Sequence, residues 1–165
     1  MKKIYLFLVQ TLVVFSLVFA VSCSKNDDGG LSDPEGTIYS SMKAWDGVSR
    51  TDLNWTTPFG TYKATIGNNI NFICYQMSGG YGSEGETFQI ATIPNVKGLS
   101  AITKVPASGW ATQAAVKAGF GYVFRMQKSS SGDYEYVRLF VVELTKNTDG
   151  GIFGADVKYQ YPWQP

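Results

Sequence analysis

The chain contains no histidine and only two cysteines, Cys23 and Cys74, in 165 residues. Without imidazole there is no Ser-His-Asp or Cys-His catalysis, no histidine-based zinc site and no side chain that titrates near neutrality without a shift. Two cysteines cannot build a thiolate cluster in its place, so neither a metal nor a cofactor is expected. Charge is scarce and balanced: charged residues make up 16% of the chain, 14 Lys+Arg against 13 Asp+Glu. A net charge of +1 gives no field to gather nucleic acid. Long capped stretches with helical apolar spacing are also missing. Apolar residues (44%) and aromatics (15%) are plentiful, which is the composition of one globular domain.

The first residues read as an address. Lys2 and Lys3 precede an apolar run from Ile4 to Val21, interrupted only by Gln10, Thr11 and Ser16, and Ser22 and Cys23 follow. A charged start, apolar middle and small-residue exit predict a signal peptide over 1–22; the competing reading is an uncleaved membrane helix. Ala20-Val21-Ser22-Cys23 resembles a bacterial lipobox, with Ala20 where leucine is usual. That resemblance implies cleavage before Cys23 and a membrane anchor of fatty chains on that residue. Residues 23–36 are polar, acidic and glycine-containing, and predict a flexible tether. Asp27-Asp28 resembles the export signal of surface lipoproteins in Bacteroidetes, which implies an outer-membrane, cell-surface location.

From residue 37 to 165 the chain reads as a single β-domain. Alternating or continuous apolar runs separated by turn residues predict strands over 37–44, 61–66, 70–77, 87–93, 99–105, 121–127, 134–146 and 152–161, with a short one within 109–117. Both faces of 70–77 carry apolar side chains, so that strand is expected to be covered on both. In 152–161 one face is apolar and the other polar, so one side should be wet. Leu139 to Val142 are apolar without a break, which predicts a central strand. Eight or nine short strands without crossover helices give an all-β antiparallel sandwich or small barrel that ends in a three-stranded meander.

Several landmarks then fall in one order: the lipobox cysteine, Asp33-Pro34-Glu35-Gly36-Thr37, Gly98-Leu99-Ser100, Ser108-Gly109-Trp110, Gly121-Tyr122-Val123 with Arg125, Tyr136 to Val142, and Gly154 to Pro162. The series resembles a family of small lipoproteins of gut Bacteroidetes with no assigned function. The resemblance implies an outer-envelope address and one small domain, and supplies no activity or ligand. Where that family carries a Pro-Gly-His-Gly-type turn, this chain has Ala118-Gly119-Phe120-Gly121.

Three constellations could carry chemistry. Gly80-Tyr81-Gly82-Ser83-Glu84-Gly85 fits a dinucleotide-loop pattern but runs into strand-like sequence, so a hairpin loop is expected. The carboxylates of Asp46 and Asp52, and of Glu84 and Glu86, flank loops and could form an acid–base pair. Trp45, Trp55, Trp110 and Tyr81 lie in or beside loops and are the candidate ligand-binding residues, the alternative being that the tryptophans plug the core. Cys74 has no cation nearby and reads as a buried thiol, while Arg125 and Arg138 read as surface or rim residues. The expectation is a non-enzymatic lipoprotein that binds a glycan, a peptide or an envelope protein. The alternatives are a two-carboxylate glycan hydrolase and a barrel holding a small apolar ligand.

Overall fold

The computed structural model describes residues 31–79 and 84–165. The expected leader, Cys23, the Asp27-Asp28 pair and Tyr81 lie outside the described residues. Nine strands occur among the described residues: β1 (Ile38–Lys43), β2 (Leu53–Thr57), β3 (Gly60–Ile66), β4 (Asn71–Gly79), β5 (Phe88–Ile93), β6 (Gln113–Ala115), β7 (Gly121–Gln127), β8 (Tyr134–Lys146) and β9 (Ile152–Trp163). All pair antiparallel, in a five-stranded sheet of order β1-β9-β8-β7-β5 and a four-stranded sheet of order β2-β3-β4-β6. The arrangement is a sandwich and not a closed barrel. The meander is β7-β8-β9, with β8 central as its unbroken apolar run predicts.

The period-2 pattern decides which side chains enter the core. Tyr122, Phe124 and Met126 of β7, Val137, Leu139 and Val141 of β8, and Ala155 and Val157 of β9 face inward from one sheet. Trp55 of β2, Tyr62, Ala64 and Ile66 of β3, and Phe72 and Cys74 of β4 meet them from the other. Rings interlock at the centre: Phe72 and Tyr122 stand edge to face at 4.9 Å, and Trp55 lies 5.3 Å from Phe124. Each buried large side chain contributes about 1.5–3 kcal/mol. At two corners the sheets touch through isolated bridges, Lys43 with Thr51 and Ile90 with Ala111.

A second apolar cluster lies on the outer face of the five-stranded sheet, where Leu99 and Ile102 cover Val123, Phe140 and Trp163. This segment corrects the expected strand over 99–105. Leu99–Ala101 form a 3₁₀ turn, because Leu99 and Ile102 point at the sheet when separated by one such turn and would face opposite ways in a strand. Three further expectations change. Thr87 ends a single helical turn, Glu84–Thr87, so β5 starts at Phe88. The outer face of β4 is not covered, and Tyr75 and Met77 lie exposed on it. The polar face of β9 is not wet: Lys158 is 1% exposed, shielded by Tyr39 and by the last residues of the expected tether.

Those residues are ordered by specific contacts. Asp33 pairs with Lys158 at 3.2 Å and accepts a hydrogen bond from the Tyr39 hydroxyl. The carbonyl of Glu35 accepts from Gln160 Nε2 at 2.9 Å. The chain is therefore fixed to β9 from Asp33 onward, before β1 begins.

Candidate functional site

The four candidate aromatic residues have different fates. Trp55 is 3% exposed and belongs to the core, which removes it from the candidate ligand-binding set. It alternates with Leu53 and Thr57 on the inward face of β2. Its Nε1 has no hydrogen-bond partner among the described residues, a cost of about 1–3 kcal/mol that burial of the ring offsets. Trp110 is half-buried over Arg125, whose guanidinium lies 4.3 Å from its ring and 4.7 Å from that of Tyr134. Arg125 donates to Gln89 Oε1 through Nε at 2.8 Å, so this stack is held within the sheet surface. Trp45 is 56% exposed.

Trp45 follows the last inward residue after β1, Ala44, and therefore points outward at the sandwich end. The loop behind it is set by Asp46, which accepts backbone N–H bonds from Val48 and Ser49 at 2.9 Å each and pairs with Lys43 at 2.5 Å. The Lys43 bond and those two N–H groups hold the Asp46 carboxyl well below the usual carboxylate range. A general acid must keep its proton at neutral pH, and Asp46 is driven the opposite way. Its expected partner, Asp52, is bonded to Arg50 Nε at 2.9 Å and has Lys63 Nζ at 3.7 Å.

Trp45 forms one wall of a groove of about 310 Å³ that continues over the four-stranded sheet to Tyr75, with Asn68, Asn69, Asn71, Arg50 and Gln113 around it. The asparagines arrive through the β3–β4 turn. Ile70 closes that turn at a φ of 53°, a left-handed conformation that a β-branched residue adopts only under constraint. The constraint is visible: Ile70 N–H donates to the Gly67 carbonyl at 2.9 Å, its own carbonyl accepts from Val116 N–H at 2.9 Å, and its side chain rests on the core. The side-chain amides of Asn68, Asn69, Asn71 and Gln113 make no hydrogen bond among the described residues. Thr65 also lines the groove, is 2% exposed, and has no partner for its Oγ1 among them.

A larger groove of about 490 Å³ runs along β1, β8 and β9 on the other sheet. Several of its polar groups are already engaged: Ser41 donates to Asp156, and Lys158 pairs with Asp33. Arg138, expected at the rim, is buried instead: Nη1 donates to the Ile102 carbonyl at 2.8 Å and Nε to Gln160 at 2.9 Å, and burial lowers its pKa. Cys74 is buried in the core as a free thiol, and desolvation pushes its pKa up.

Sequence reasoning missed Tyr75 and the amides. Gly67-Asn68-Asn69 signals a turn, and nothing local says that this turn meets Trp45 and Gln113, which come from elsewhere in the chain. No group of three or more metal-ligating side chains occurs among the described residues. No family model, no curated protein and no solved structure matches this chain.

Proposed function

We propose that this protein is a non-enzymatic binding module, anchored to an outer membrane through Cys23, that takes its ligand in the groove between Trp45 and Tyr75. The observation that carries the reading is an exposed indole and an exposed phenol on one groove, surrounded by amides with no internal partner. Aromatic rings of this kind give large rigid contact area at small entropic cost, and amides supply directional bonds.

The polarity of the fold supports it. The tether joins the domain at Asp33, beside the start of β1, whereas Trp45 lies just beyond the end of that strand. Six extended residues span about 20 Å, so the groove lies at the opposite end of β1 from the point where the tether joins the domain, which leaves it accessible in an anchored chain. Asp46 is bonded to Lys43, and Asp52 to Arg50 with Lys63 beside it, so both carboxylates of that pair are engaged by cations, which weighs against either of them donating a proton in a two-carboxylate hydrolase; the interlocked rings between the sheets weigh against an interior apolar ligand.

Two measurements test this reading. Cells expressing the chain are labelled with a fatty-acid analogue; incorporation that persists in Cys23→Ser rejects the anchor. An array carrying both glycans and peptides is probed with the full chain in detergent and with Trp45→Ala. Signals held by the first and lost by the second are expected, and identical signals for both proteins reject the groove as the binding site.

A further inference from the structure

We infer that the ligand of the Trp45 groove is an uncharged carbohydrate, a deduction that rests on the binding reading above and narrows it. A sugar ring presents one face of C–H groups and an equatorial girdle of hydroxyls. The first needs a flat, partly desolvated aromatic surface, and the second needs side chains that both donate and accept. Trp45 and Tyr75 supply the surface, 56% and 39% exposed. Asn68, Asn69 and Gln113 supply the bonds, since each amide offers two donors and an acceptor, matched to a hydroxyl that does both.

Charge decides against the other classes. Among the described residues Arg50 lines the groove and Lys63 lies over the Tyr75 ring at 5.7 Å; both face the Asp52 carboxylate, Arg50 Nε at 2.9 Å and Lys63 Nζ at 3.7 Å, so an acidic sugar or peptide carboxylate would have to compete with an existing ion pair. No carboxylate among the described residues lines the groove to receive a basic peptide. An apolar peptide side chain would gain from the rings but would bury amides without partners, at about 1–3 kcal/mol for each unpaired group.

The test is affinity electrophoresis of the full chain in detergent through gels containing a neutral polysaccharide (a β-glucan, a mannan, a xylan or a dextran) or an anionic one (polygalacturonate or chondroitin sulfate), run beside the array. At least one neutral polymer is expected to retard the protein. Retardation should persist in 0.5 M NaCl, weaken about tenfold or more in Trp45→Ala, and weaken measurably in Asn69→Ala. The folding of both variants is checked by thermal melting. Retardation only by anionic polymers, abolished by salt, would overturn the inference. So would a Trp45-dependent peptide signal on the array with no retardation by any polysaccharide, though binding in the groove would then survive. With no Trp45-dependent signal in either format, the carbohydrate inference and the groove both fall.

Discussion

Lys158 Nζ lies 3.2 Å from Asp33 Oδ2, which joins the segment before β1 to the outer face of β9. The Lys158 side chain is almost wholly buried there, so its charge is compensated by a residue from the far end of the chain. Asp33→Asn removes the compensating charge and keeps the shape. It is expected to lower unfolding free energy by about 1–3 kcal/mol in urea titration, with low salt and high salt giving similar losses because the pair is shielded from solvent. Unchanged stability would mean that this segment is not held against β9 in solution.

Trp45 and Trp55 predict opposite outcomes from the same substitution. Trp55→Ala empties a ring-lined site beside Phe88 and Phe124 and should cost about 3–5 kcal/mol. Trp45→Ala leaves an outward-facing loop position and should change stability by no more than about 0.5 kcal/mol. Chemical denaturation of the two variants separates them. Equal losses would show that the Trp45 ring is packed against the domain.

This contrast also marks how far the sequence could be read. Trp55 sits in a period-2 series with Leu53 and Thr57, yet the stretch from Trp45 to Gly60 holds so many polar and turn residues that its pattern alone predicts no strand. The C-terminal meander was legible because β7, β8 and β9 have continuous or alternating apolar residues bounded by clear turns: 121–127 and 134–146 were bounded correctly, and β9 runs on to Trp163. Leu99 and Ile102 do not declare a 3₁₀ turn in sequence, because a spacing of three is compatible with several local structures until the sheet beneath them is known. The candidate groove was legible only in Trp45. Its other walls come from the β3–β4 turn, the outer face of β4 and the start of β6, and their convergence is a property of sheet order, which local periodicity does not encode.

Alkaline pH should destabilise the domain. Burial raises the pKa of Cys74 from its ordinary 9.0, and that of Tyr122 from 10.0 to about 12. Burial raises Tyr62 and Tyr159 as well. The folded state thus keeps protons that the unfolded chain releases. The contribution of these groups is complete below pH 9 and declines as pH climbs through 9 to 12. Urea midpoints measured across that range should fall, and Cys74→Ala should make the fall shallower. A flat profile would show that these groups titrate alike in both states.

The thiol itself gives an independent check. Native protein should react with a thiol reagent at Cys74 only as fast as it unfolds, and reductant should leave the melting temperature unchanged. Rapid labelling of the native state would place Cys74 outside the core.

Gly154 of β9 sits between Lys43 of β1 and Thr145 of β8. A Cβ there would stand 2.3 Å from the Met42 carbonyl oxygen and 2.6 Å from Thr145 Oγ1. The first of these is backbone and cannot rotate away, so Gly154→Ala must push β1 off β9 and should cost about 1–3 kcal/mol. A melting temperature equal to that of the wild type would show that β1 is free to shift.

The two corner bridges, Lys43 with Thr51 and Ile90 with Ala111, bear on solubility. An open sandwich presents unpaired amide and carbonyl groups along its outermost strands, and another copy of the chain can extend the ladder there into an aggregate. In this fold each bridge occupies part of that backbone with a segment of the same molecule: Lys43 and Thr51 exchange bonds of 3.1 and 3.2 Å, and Ile90 and Ala111 bonds of 2.8 and 3.0 Å. The domain thereby gains some of a barrel's protection against intermolecular strand addition without closing into one.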